Sequence, residues 1–176
     1  LVKNCYLDNN LDITDKRGYL KNLHLAQIIK YSEISTNDKV LHIGGLTGYL
    51  SVLMSYLCKE LLVVEQNKEL FKLLEQNIKN IDTTNINLFN HNLLDGLNDS
   101  APFNLIIIDG PIFKISDNLK QQLVPNGGRL IYIKKIYDNL GKSYKIVRNE
   151  DLYSSEYLFD VMSTYQIQEK EEDFKF

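Results

Sequence analysis

Residues 40–50 read VLHIGGLTGYL, an apolar run, a glycine-bearing turn and a second apolar run. Val40 to Ile43 is short, apolar and stopped by glycine, the pattern of a buried strand. Thr47 to Cys58 is apolar on all but one side, as expected of a helix packed on a sheet. A buried strand that passes through a glycine turn into a helix is the first half of a βαβ unit. Whether the flanking chain repeats that unit decides the fold.

It does repeat. LLVVE at 61–65 reads as a second strand ending in an acid, and Asn67 to Asn80 places Leu70, Leu73, Leu74, Asn77 and Ile78 at helical spacing with Asn67 as the cap. NINLF and FNLIIID supply a third and a fourth strand, Ser116 to Leu123 a short helix, VPNGG a turn and RLIYIKK a fifth strand. Upstream, KNLHLAQIIKY at 21–31 reads as an amphipathic helix with Leu23, Ala26 and Ile29 on its core face, followed by a polar turn at Ser35 to Asp38. After the fifth strand the rhythm changes: DNLGKSYKIVR and SSEYLFDVM are extended segments with no helix between them, which predicts an antiparallel hairpin. Alternating strands and helices require crossover connections, hence a mostly parallel sheet with helices on both faces. The prediction is a single α/β domain over residues 1–176, doubly wound and Rossmann-like. The charged tail QEKEEDFKF reads as a solvated end.

Composition limits the function. The chain has 176 residues, 44% of them hydrophobic, enough for a substantial core. A net charge of -3 and a sequence pI near 5.6, with no basic cluster beyond Lys134-Lys135, argue against nucleic acid as a partner. A large substrate would therefore be protein or peptide. Cys5 and Cys58 are the only cysteines, without metal-ligand spacing, and read as reduced thiols of a cytoplasmic protein. No apolar stretch reaches the roughly 18 residues of a bilayer span, so no membrane partner is expected, and the sequence carries no sign of an oligomeric state.

In doubly wound sheets ligands lie beyond the carboxyl ends of the strands, where strand order reverses. Three strand ends carry suitable residues. Gly44, Gly45, Thr47 and Gly48 form a turn whose backbone N–H groups and following helix could approach a ligand closely. Glu65, about 20 residues on, is placed to accept hydrogen bonds from two ribose hydroxyls. In HNLLDG at 91–96, Asn92 could meet the edge of an adenine ring. Each has an ordinary alternative: a tight turn, a solvated acid, an Asn capping its own backbone. A nicotinamide dehydrogenase is disfavoured because Gly-Gly-Leu-Thr-Gly is one residue shorter than the GxGxxG fingerprint.

With these stretches in hand, NDKVLHIGGLTGYLSVLMSYL, LLVVEQNKELFKLLEQNIKN, NINLFNHNLLDGL, APFNLIIIDG and QQLVPNGGRLIYI, the chain resembles the class I S-adenosylmethionine-dependent methyltransferases, and among them the protein-L-isoaspartate O-methyltransferases. The resemblance runs from about Tyr6 to Asp160. It implies a seven-stranded sheet closed by the antiparallel hairpin, S-adenosylmethionine as cofactor, and methyl transfer to the isoaspartyl carboxyl groups of proteins. It adds Gln66 and Leu93 to the expected cofactor-binding set of Gly44, Gly45, Thr47, Gly48, Glu65 and Asn92, with Asp109 of IIIDG facing the cleft. The family's N-terminal helical region is not represented.

Three departures fall where the chemistry should be. His42 stands in place of the family's acid, and Leu46 in place of its middle glycine. DKRGYLKNL replaces the segment that shapes the active site, with Asn22 at the proline position. A leucine forced against a ligand costs about 1–3 kcal/mol, and a lost charge-assisted hydrogen bond about 1.5–3 kcal/mol. Added, they weaken affinity about 10²- to 10⁴-fold, turning a micromolar site near-millimolar. His42 admits two readings, a new general base or a structural histidine satisfied by a backbone carbonyl, whereas His24 and His91 read as structural. The expectation is a family member with reduced or lost activity. The alternatives are a noncatalytic binding module and a methyltransferase with another acceptor.

Overall fold

The structure is a computed structural model and describes residues 8–167; the QEKEEDFKF tail and Cys5 lie outside the described residues. In chain order the elements are β1 (Leu11–Asp12), β2 (Gly18–Tyr19), α1 (Asn22–Ser32), β3 (Lys39–Ile43), α2 (Tyr49–Ser55), β4 (Glu60–Val64), α3 (Lys68–Lys79) and β5 (Ile86–Phe89). They continue with a 3-10 turn at Asn98–Ser100, β6 (Leu105–Ile112), α4 (Asp117–Gln121), β7 (Asn126–Tyr137), β8 (Leu140–Asn149) and β9 (Leu152–Met162).

The main sheet has seven strands in the order β5-β4-β3-β6-β7-β8-β9. Its strands from β5 to β7 pair in parallel, and β8 and β9 are added antiparallel. The expected mostly parallel sheet with a terminal hairpin is what forms. Strand order reverses at β3, which has β4 on one side and β6 on the other, so the turn after β3 opens at the reversal point.

The central strands are buried on both faces, and their Val, Ile and Leu residues alternate between two cores. Val40, Leu61, Val63, Leu105 and Ile107 pack against Leu25 and Ile28 of α1, Leu50 and Met54 of α2 and Leu74 of α3. Leu41, Ile43, Leu62, Val64, Ile106 and Ile108 meet Leu119 of α4 together with Leu93, Phe103 and Leu123. Each such side chain contributes about 1.5–3 kcal/mol on burial.

Two local expectations are corrected. The buried face of α1 is His24, Leu25, Ile28 and Ser32, while Leu23 is 53% exposed. Leu25 and Ile28 pack into the core, and on the same face the His24 ring stacks on Phe159 of β9, 5.9 Å between centroids. Helix α2 is shorter than Thr47 to Cys58. Gly48 takes φ +103°, outside the helical range, and Leu57 N–H donates back to Met54 O, closing the last turn tightly. By contrast α3 begins as predicted, with Asn67 Oδ1 accepting from the N–H groups of Glu69 and Leu70.

Candidate functional site

The turn after β3 is held open by its glycines. Gly44 has φ +93°, and at Gly45 an added Cβ would lie 2.5 Å from Val63 Cγ1, so only glycine lets the turn sit this close to β4. Between them and Gly48, Leu46 takes φ +49°, a left-handed conformation that costs a branched residue about 1 kcal/mol. It is fully buried, and its backbone N–H donates to Glu65 Oε2 at 3.0 Å.

Glu65, at the tip of β4, is the centre of the site and has no exposed surface. Its carboxylate accepts four hydrogen bonds: from Leu46 N–H, from Asn67 N–H at 3.0 Å, and from both terminal nitrogens of Arg17 at 3.2 and 3.0 Å. Arg17 lies between β1 and β2, in the DKRGY segment. A carboxylate has about four acceptor positions, so Glu65 is saturated by its own chain. Asn90 fixes the backbone behind it, donating to Glu65 O and Gln66 O at 2.7 and 3.1 Å.

The other predicted residues gather around this point. Gln66 Oε1 accepts from Leu93 N–H at 3.3 Å, tying the β4 tip to the loop after β5, where the Leu93 side chain is buried. Asn92 Oδ1 accepts from Leu94 N–H at 2.9 Å, capping its own loop. Thr47 Oγ1 shares a 2.6 Å hydrogen bond with the Tyr19 hydroxyl, which also accepts from Thr47 and Tyr49 N–H and so caps the start of α2. Burial raises the Tyr19 pKa against the pull of these bonds.

Beneath the turn lies a buried polar group. His42 Nδ1 bonds the hydroxyl of Ser51 on α2 at 2.9 Å, not the backbone carbonyl expected of a structural histidine. Its Nε2 is 3.8 Å from Asp109 Oδ2. Among the described residues neither Asp109 oxygen has a hydrogen-bond partner, and Asp109 is 2% exposed. Of the remaining histidines, His24 bonds Gln27 and His91 bonds the Asn92 carbonyl.

Arg17, Tyr19, Asn90 and Ile167 are the site residues that sequence reasoning missed. Ile167 lies over the glycines: a Cβ at Gly44 would come within 3.1 Å of its Cδ1, and one at Gly110 within 2.9 Å of its Cγ1. A cavity of about 440 Å³ lies on the outer side of the turn, lined by Leu11, Tyr19, Gly48, Tyr49 and Leu53 among others, and does not reach Glu65 or Asp109.

Residues 1–162 match the family described as Protein-L-isoaspartate(D-aspartate) O-methyltransferase. The chain belongs to the protein-L-isoaspartate O-methyltransferase family. A Protein-L-isoaspartate O-methyltransferase of Koribacter versatilis is 29% identical over 126 residues, 72% of this chain and 56% of that protein. One from Vibrio atlanticus is 29% identical over 150 residues, covering 85% and 71%. A solved protein-L-isoaspartate O-methyltransferase superposes with TM-score 0.83 at 16% identity, over 94% of this chain and 55% of that one. The chain thus spans little more than half the length of the first of these relatives and of the solved structure.

Methyltransferases of this family imply S-adenosylmethionine as cofactor. The residues as they stand do not fit it. Glu65, the acid the sequence reading expects at the ribose, already accepts four hydrogen bonds from its own chain, and the space over Gly44 and Gly110 holds Ile167.

Proposed function

We propose that this chain is an isoaspartyl methyltransferase relative in which S-adenosylmethionine-dependent transfer to protein isoaspartyl carboxyl groups is strongly reduced. The family relationship supports the reaction class. The observation that carries the reduction is the four-bonded Glu65: Arg17 donates to both carboxylate oxygens, the two that a ribose diol would need in this reading. The predicted substrate is a protein or peptide, and Arg17, the arginine at the candidate site, is engaged with Glu65.

Transfer of labelled methyl groups from S-adenosylmethionine to an isoaspartyl peptide is the direct test. The reading expects little label at micromolar cofactor and a measurable rise toward millimolar. Full turnover at micromolar cofactor would overturn the reduction, and no transfer at any concentration would favour the second reading.

That second reading is a noncatalytic module that keeps the fold alone. It is favoured by Leu46, whose side chain is fully buried within the turn, and it expects no calorimetric response to the cofactor at millimolar concentration.

A further inference from the structure

Arg17 and Ile167 come from opposite ends of the described chain and meet at the strand ends. Arg17 reaches Glu65 from the β1–β2 hairpin, whose two-residue strands pair only with each other and not with the main sheet. Ile167 arrives from the segment after β9, with its N–H donating to Pro111 O at 2.9 Å. The two arms are braced together: Gln166 N–H donates to Lys16 O at 3.0 Å, and the Tyr165 hydroxyl donates to Asp12 Oδ1 at 2.6 Å. Beneath the segment, the buried Lys135 ammonium donates to the carbonyls of Asp138, Thr164 and Tyr165.

The Arg17–Glu65 contact has the geometry that a ribose diol would use. Two donors from one planar group meet the two oxygens of one carboxylate, at 3.2 and 3.0 Å. The other two donors, Leu46 and Asn67 N–H, belong to the backbone of the turn and of the α3 start. They leave only if the fold does, whereas a long side chain can swing away. Arg17 is therefore the displaceable ligand. Its Nη2 also lies 3.2 Å from the Cβ position of Gly44, in the turn that the sequence reading expects to approach a cofactor.

We infer that Arg17 and Ile167 form an internal plug in the cofactor position, with Arg17 standing in for the ribose diol on Glu65, so that S-adenosylmethionine binds only by displacing it. The inference deepens the proposed function and rests on its assignment of the strand ends as the ancestral cofactor site. Cofactor affinity is then set by competition within the chain, and whatever draws the β1–β2 hairpin or the post-β9 segment away loads the site.

Calorimetric titration of S-adenosylhomocysteine into the parent protein, Arg17→Met and Ile167→Ala tests this, each variant first shown to melt cooperatively. Met keeps the aliphatic stem and removes the guanidinium. Arg17→Met should bind about 10- to 100-fold tighter than the parent, the equivalent of one competing charge-assisted contact, and Ile167→Ala should also gain. Should Arg17→Met fail to melt cooperatively, the gain in Ile167→Ala decides in its place. The gain in Arg17→Met should appear with 5′-methylthioadenosine and vanish with its 2′,3′-dideoxy counterpart, because only the diol competes for Glu65. An equal gain with both compounds would overturn the ribose assignment. Equal affinities of parent and variants would overturn the plug. If all of them bind tightly, the family chemistry stands without a plug; if none binds and none labels an isoaspartyl peptide, the proposed function falls as well.

Discussion

Leu46, in the turn after β3, and Cys58, before β4, show how single buried residues bear on stability. Leu46 is strained in a left-handed conformation yet fully buried, so Leu46→Gly has two opposed effects. Relief of strain returns about 1 kcal/mol, while removing a buried leucine side chain costs about 2–5 kcal/mol. The expected outcome is a net loss of about 1–4 kcal/mol in urea unfolding. The same variant should gain no cofactor affinity, since Arg17 still saturates Glu65; tight binding by Leu46→Gly alone would show that the leucine was the obstacle. At Cys58, burial, helped by the nearby Asp38 and Glu60 charges, raises the thiol pKa from 9.0 to about 11. The unfolded chain therefore loses that proton first as pH rises, and the stabilisation present below pH 9 is lost between 9 and 11. Cys58→Ala should flatten the fall of the urea midpoint over that window. Tyr165, raised by burial and its bond to Asp12, extends the decline to higher pH in both proteins.

At the scale of elements, the segment after β9 is held from beneath by one lysine. Lys135 is 7% exposed, and burial lowers its pKa, yet three carbonyls receive its ammonium within 2.8 to 3.0 Å. Lys135→Met removes these bonds and leaves the carbonyls of Thr164 and Tyr165 without that donor, for a loss of about 2–4 kcal/mol. Hydrogen exchange should then quicken at Gln166 and Ile167, whose amides bond Lys16 O and Pro111 O, ahead of the β6 amides. Unchanged exchange there would mean that the Tyr165–Asp12 bond and the bonds of Gln166 and Ile167 hold the segment without the lysine. The legibility of the elements follows the same division. The run β3–turn–α2, the acid ending β4 and the Asn67 cap were all readable, because each is written in contiguous residues with a fixed period. The β1–β2 hairpin was not, because two-residue strands carry no period at all. The buried face of α1 includes His24, whose partner Phe159 lies in the last strand and leaves no mark in the sequence of the helix itself. Arg17 and Glu65, 48 residues apart, have no local signature that pairs them.

At the scale of the molecule, the consequence is a fold that completes itself without ligand. A cofactor usually adds stability to the state that binds it by mass action. Here the parent already satisfies Glu65 internally, so a near-millimolar dissociation constant yields only about 0.4 kcal/mol at 1 mM S-adenosylhomocysteine. Arg17→Met leaves Glu65 buried with two backbone donors and a gap where the guanidinium stood, and its ligand-free melting temperature should fall below the parent's. On adding the same ligand the order of responses should reverse. With a dissociation constant near 30 μM, about 2 kcal/mol is gained, which for a domain of this size is about 4–8 °C. Each protein is compared with its own ligand-free melt, so the cost of the mutation cancels. A large shift in the parent would show that the carboxylate yields Arg17 readily, and a small shift in both would show that the fold closes the strand ends by more than this one side chain. The predicted contrast, a stable parent indifferent to ligand and a weakened variant rescued by it, follows only if the arginine and the ribose compete for the same carboxylate.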